Sequence, residues 1–364
     1  MSRRRNKDAV TEHRQGCSAA YIKMLNKIGL AMCNLEEGKI IDDIFYKLDK
    51  AGFGSNVHEI AAEGECRVLK MEGDSGEGFM TMYRVFDGIY LMCNDFHMRS
   101  CISEYQNADT VLCIDHCREG RIEHENSLGE RYYMEAGDLR IDRRAYHSGK
   151  VELPLSHYHG MTIGFLNEPA QRSIKREMPS LNIDLEALAQ KFCPDNREFL
   201  IRANEPLDLL FSQLYHAPKS IRQDYFKVKI AEFLLMLEMI DPAENIQQRQ
   251  YFPAARTEKV KEIHSLITGS LEKTFTVGEL SEISGMPPAT LRKVFKAVYG
   301  VPIYQYIKSC KMKAAAAMLI SDKELNISEI AQRLGYDNPS KFAAAFRDVM
   351  GASPQNYRRK QEDL

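Results

Sequence analysis

Residues 326–354 read NISEIAQRLGYDNPSKFAAAFRDVMGASP, and residues 276–302 read TVGELSEISGMPPATLRKVFKAVYGVP. The two stretches are variants of one unit. Leu291 and Phe342, Phe295 and Phe346, and Gly300 and Gly351 correspond at a spacing of 51, but Gly285 and Gly335 correspond at 50, so the second turn holds one residue more. In the first unit Val277, Leu280 and Ile283 make a short apolar stripe, and Gly285 ends it. Pro287 suits the start of a second helix, because its missing N–H costs nothing there. Leu291, Val294, Phe295 and Val298 then recur at i, i+3, i+4 and i+7, which predicts the buried face of that helix. Ile327, Ile330 and Leu334, followed by Phe342, Ala345, Phe346 and Val349, repeat the pattern. Short helix, glycine turn and longer helix is the grammar of a helix-turn-helix. A single unit is compatible with a plain helical hairpin; two in register are not easily explained that way. Between them, PIYQYIKSCKMKAAAAMLI (302–320) predicts a long helix that fixes their separation. Two recognition helices about 34 Å apart can enter successive major grooves on one face of DNA.

The charge distribution fits such a role. Residues 254–364 hold 17 Lys+Arg against 12 Asp+Glu, a net +5, whereas the whole chain carries −2. A basic tail on an acidic body is expected when only the tail meets a polyanion. The 364 residues are 44% apolar and 27% charged, which suits two or three soluble globular domains and excludes a disordered or collagen-like chain. The longest apolar runs, such as FLLMLEMI at 233–240, are too short to span a bilayer, and no signal-like apolar stretch follows the basic MSRRRNKDAV start. A cytoplasmic protein without membrane contact is the expectation. Nine cysteines without a CxxC are a poor disulfide framework and read as free thiols.

Upstream, the texture changes twice. Residues 1–78 form an N-terminal extension, partly helical (YIKMLNKIGLAM, KIIDDIFYKL), with the glycine-rich GDSGEG at 73–78 as a connector. From 79 to 166, short runs such as FMTMYRVF, GIYLMC and TVLCIDHC are cut by turn residues, which predicts a small antiparallel barrel. From about 183 the period is helical, and Asp241-Pro242 stops the last helix. Residues 242–256 are polar, with two prolines, and read as a linker. The face of Phe226, Ile230, Phe233, Leu234 and Leu237 is more apolar than an exposed helix needs, which predicts a homodimer through it.

The stretch from about Thr257 to Arg359 resembles the DNA-binding domain of the AraC/XylS family of transcription regulators. The resemblance is carried by ISEIAQRLGYDNPSKFAAAFRDVMGASPQNYR and by KMKAAAAML upstream of it. It implies an α+β multidomain protein: a cupin-like effector-binding barrel at 79–183, a helical dimerisation segment at 184–241, and an all-α domain with two helix-turn-helix units at 257–364. It also implies double-stranded operator DNA and RNA polymerase as partners, and activation rather than repression. The outer faces of the two recognition helices carry Ala289, Arg292, Lys293 and Lys296 in the first unit, and Asn338, Ser340, Lys341 and Arg347 in the second. Lys293 stands where the family often has a base-reading Arg. Ala344 replaces such an Arg in the second unit, which assigns that unit mainly to phosphate contacts. The stretch from 207 to 239 also resembles the branch of pyochelin-responsive regulators.

For the effector, Met80, Met82, Tyr83, Tyr90, Met92 and Cys93 offer adaptable apolar walls with a few hydroxyls. Tyr83, Tyr90 and Arg99 are the candidate polar contacts, with His157 and His159 for a ligand carrying an anion or a metal. His157-Tyr-His159 is the only HxH, but it lacks the Glu of a cupin metal site, so the histidines read as structural and no metal or other cofactor is expected. No nucleophile elbow, Walker loop or GxGxxG occurs, so enzymatic activity is not expected. Two alternatives remain open: a metal-dependent cupin-type enzyme fused to a DNA-binding tail, and a regulator that needs no effector.

Overall fold

Strand-forming sequence starts well before residue 79. In the computed structural model, which describes residues 56–106, 111–125, 129–144, 146–244, 250–322 and 324–362, β1 (Val57–Glu63) and β2 (Cys66–Gly73) precede β3 (Gly76–Phe86). The GDSGEG segment is therefore the turn of a hairpin, with Gly73 paired to Gly76, rather than a connector. The helices expected before residue 50 lie outside the described residues.

The chain divides into two units. Among the described residues, the first holds those from 56 to 120 and from 136 to 244; the second holds those from 121 to 135 and from 250 to 362. The first unit is built on an antiparallel sheet in the order β1-β2-β3-β4-β11-β6-β9-β12. Its further strands are β4 (Ile89–His97), β6 (Val111–Gly120), β9 (Leu139–Arg143), β11 (Tyr158–Leu166) and β12 (Phe199–Ile201). A separate ladder joins β5 (Ser100–Gln106) to β10 (Tyr146–Glu152). The expected cupin-like barrel is not closed among the described residues: β1 and β12 are the free edges of the sheet.

Side-chain alternation divides this sheet into two faces. Tyr83, Leu91, Ile114, Ile141, Ile163 and Phe165 share one core with helices α1 (Asn167–Glu177), α2 (Leu185–Phe192), α3 (Glu205–Tyr215) and α4 (Arg222–Met239). The predicted dimer face of α4 belongs to this core. Phe226, Ile230, Phe233, Leu234 and Leu237 are all at most 2% exposed. They are apolar because they cover the sheet of their own chain, so this face of α4 is not open to a second copy. Burying each such side chain contributes about 1.5–3 kcal/mol, more than an exposed surface helix could gain from it.

The second unit begins before the expected boundary, with β13 (Phe252–Pro253) and α5 (Ala254–Gly269). It then runs through α6 (Val277–Ser284), α7 (Pro288–Tyr299), α8 (Ile303–Ser321), α9 (Ile327–Arg333), α10 (Pro339–Met350) and α11 (Pro354–Glu362). It also contains a hairpin from the middle of the chain, β7 (Ile122–Glu125) and β8 (Glu130–Met134), and β8 pairs with β13. Residues 254–364 therefore lack a strand pair of their own unit. The seven described cysteines are free, and burial pushes the Cys113 and Cys193 thiols up to about 12.

Candidate nucleic-acid interface

Both helix-turn-helix units start on the same device. Thr276 caps α6 and Asn326 caps α9. Each accepts a hydrogen bond from the backbone N–H three residues on, and the Glu there, Glu279 or Glu329, accepts one from the capping residue's own N–H. Gly285 and Gly335 follow the two helices in left-handed conformation, φ 62° and 71°. At Gly335 a Cβ would also sit 2.2 Å from the Glu272 carbonyl oxygen, so no side chain fits that turn. Proline opens both recognition helices, Pro288 in α7 and Pro339 in α10.

The recognition helices bury most of the predicted stripes, with Ala345 and Val349 half-buried, and present the predicted polar faces; Ile283 of the α6 stripe is instead 60% exposed. Leu291, Val294, Phe295 and Val298 are buried in one core, and Phe342 and Phe346 in another. Ala289, Arg292, Lys293 and Lys296 are exposed along one side of α7; Ser340, Lys341, Ala344 and Arg347 are exposed along α10. None of the six charged or hydroxyl side chains Arg292, Lys293, Lys296, Ser340, Lys341 and Arg347 has an ion-pair partner among the described residues, which leaves them available to phosphates and base edges. Asn338 is different. Its Oδ1 accepts hydrogen bonds from the Ser340 and Lys341 backbone N–H groups at 2.8 and 3.2 Å, so it caps α10. Only its amide NH2 is left for DNA. Helix α8 starts in the first core with Ile303 and ends in the second with Met312, Ala315, Ala316 and Leu319, and so ties the two units together.

The β7–β8 hairpin braces α7, and no local pattern marks it for this role. Arg121 donates to the Ala297 carbonyl in the last turn of α7 at 2.6 Å and pairs with Glu135. Tyr133 enters the core of the first helix-turn-helix. Its hydroxyl donates to Glu123 at 2.8 Å, and Glu123 also meets Lys261 of α5 at 2.9 Å and Arg131 at 3.2 Å.

The five candidate effector contacts are not brought together. Tyr83 faces the helices and accepts a hydrogen bond from Arg222 at 3.2 Å. Tyr90 is on the opposite face, against Cys113. Arg99 is exposed at a strand end. His157 lies beside His97, and His159 meets the Tyr215 ring edge-on at 5.6 Å. Tyr90 shares its face with a buried polar network instead. Asn94 donates to Thr162 at 3.1 Å, Thr162 to Asp115 at 2.7 Å, and Asp115 pairs with Arg140 and Arg144. Burial raises the pKa of Asp115, but the two guanidiniums outweigh it and hold the carboxyl below its usual range. Asn94 Oδ1 is buried and has no hydrogen-bond partner among the described residues. His116 stacks on Phe211 at 4.1 Å, and burial, helped by Arg118, pulls its pKa down to about 4.

Residues 280–360 match the family model of a helix-turn-helix domain. The transcriptional activator RhaR of Mannheimia succiniciproducens is 24% identical over 244 residues, 65% of this chain and 77% of that protein. The transcriptional activator AarP of Providencia stuartii is 29% identical over 27% of this chain and 73% of its own. Among solved structures, the C-terminal domain of the response regulator AraT from Geobacillus stearothermophilus is 32% identical over 28% of this chain and 84% of that one, with a TM-score of 0.27.

Proposed function

We propose that this chain is a sequence-specific, DNA-binding transcription regulator of the AraC/XylS type, an activator controlled by a small molecule held in its β-rich unit. The observation that carries this is the repetition of the DNA-facing device. Two capped helix-turn-helix units, each with its own core, are joined by α8, whose 19 residues span about 28 Å. That length is close to the separation of successive major grooves on one face of a duplex. The similarity to proteins named as transcriptional activators supports activation. In this reading the protein works in the cytoplasm, where operator DNA and RNA polymerase are found.

In this reading Lys293 reads a base edge, while Ser340, Lys341 and Arg347 hold phosphates. With an operator obtained by in vitro selection, Lys293→Ala lowers the affinity of the full chain by about 1–3 kcal/mol and relaxes specificity at one position. Lys341→Ala instead weakens all sequences alike and lowers the salt slope by about one. A full chain that binds no duplex even at low salt overturns the assignment.

The effector sits on the face of Asn94, Thr162 and Asp115. Asn94 Oδ1 is a buried acceptor that no donor among the described residues meets, and a ligand N–H or O–H supplies one. A siderophore of the pyochelin class is the first compound to try by thermal shift. A homodimer forms through the outer side of α4, where Val228, Leu235 and Met239 are 65, 43 and 84% exposed and Ile221 precedes Val228 by one heptad. Light scattering at micromolar concentration is expected to give a dimer for the native chain and a monomer for Val228→Glu combined with Leu235→Glu; a monomeric native chain refutes the dimer.

A further inference from the structure

Two imidazoles and a carboxylate converge where neighbouring strands end. β4, β11 and β6 lie side by side, and the register sets His159 opposite both Asp95 and Glu119. Two residues further along that register, His97 of β4 faces His157, which precedes β11. Their rings are 4.9 Å apart. Asp95, His97 and His157 each offer a donor atom, all within 4.8 Å of one another. Asp95 Oδ1 lies 3.1 Å from His97 Nε2, and Glu119 Oε2 lies 3.6 Å from His157 Nε2.

The backbones that carry the two imidazoles are held by close approaches only glycine allows. A Cβ on Gly76 (φ 147°) would sit 2.0 Å from the His97 carbonyl oxygen, and one on Gly120 (φ 88°) would sit 2.1 Å from that of His157. Both histidine side chains nevertheless reach solvent, 54 and 33% exposed, so an ion can enter without opening the fold.

We propose that Asp95, His97 and His157 bind one divalent transition-metal ion of the zinc type, with Glu119 in reach as a fourth ligand. Imidazole with carboxylate suits zinc, copper or nickel, whereas magnesium and calcium prefer all-oxygen sets. Ligands at zinc distance in a tetrahedron are about 3.4 Å apart, so rotating side chains closes the present spacing without moving the backbone. The ion clips the ends of β4 and β11 together. No HxH search finds this site, because the pair is formed across strands; His159, the HxH partner of His157, packs on Tyr215 instead.

The test uses the full chain, stripped with chelator, gel-filtered after incubation with Zn2+ or Co2+, and compared with His97→Ala, His157→Ala, His97→Gln and, as a control, His216→Ala. The native chain and the control are expected to retain one metal equivalent, and Co2+ is expected to show ligand-field absorption without a thiolate charge-transfer band. Each substitution at His97 or His157 weakens Zn2+ binding at least about ten-fold, since even losing an outer-shell partner of a metal site costs that much. Circular dichroism shows that the variants remain folded, and His97→Gln keeps the volume of the side chain. Failure to retain an equivalent, a thiolate band, or unchanged binding in the histidine variants overturns the site.

Discussion

Replacing Glu123 by Ala is expected to destabilise the helix-turn-helix unit by about 3–5 kcal/mol, the usual cost of removing one partner from a buried charge cluster. The Glu123 side chain is 4% exposed and is shared by Arg131, Lys261 and the Tyr133 hydroxyl. Its loss takes the acceptor from the buried Tyr133 hydroxyl and the most buried carboxylate from Arg131 and Lys261, which keep the more exposed Glu125 and Glu258. That phenol is already hard to ionise, because burial and then the neighbouring carboxylate push its pKa well up. Urea unfolding of the full chain measures the effect. Glu123→Gln keeps one acceptor and should cost less, and adding Lys261→Met to Glu123→Ala should recover part of the loss. DNA affinity falls along with stability, because the same hairpin holds the end of α7 through Arg121 and Ala297. A destabilisation below about 1 kcal/mol, the range of exposed pairs, would remove the hairpin from any structural role.

Phe346→Ala is expected to cost a similar amount, about 3–5 kcal/mol for an aromatic side chain removed from a closed core. Phe346 is fully buried and packs against Phe342 and Tyr357, with ring centroids 6.0 and 5.5 Å away. Its core is distinct from that of Phe295, so the damage should be confined. Footprinting on a selected operator should show protection lost over one half, on the side of Lys341 and Arg347, and retained over the half read by α7. Phe295→Ala should give the complementary pattern. Loss of both halves in either variant would show that the two units fold as one.

The DNA-facing part was legible because its information is local. Leu291, Phe295, Phe342 and Phe346 stand at helical spacing, Gly285 and Gly335 fill turns that demand a left-handed residue, and Arg292, Lys293 and Lys296 fall on the side those constraints leave outside. Asn338 caps α10, which the sequence pattern does not reveal, since a capping hydrogen bond depends on where the helix starts.

The order of the residues by itself determined that this chain holds two helix-turn-helix units and a strand-rich region, because periods of 3.6 and 2 are written in consecutive residues. Only the tertiary structure decided what those elements meet. It put Tyr83 and Tyr90 on opposite faces of one sheet, turned the apolar face of α4 inward onto that sheet, gave residues 121–135 to the helix-turn-helix unit, and set His97 beside His157. Each of these depends on strand register or on contacts between residues far apart in the chain. A shift of one residue in register reverses every side chain of a strand, and nothing in the local pattern encodes that choice.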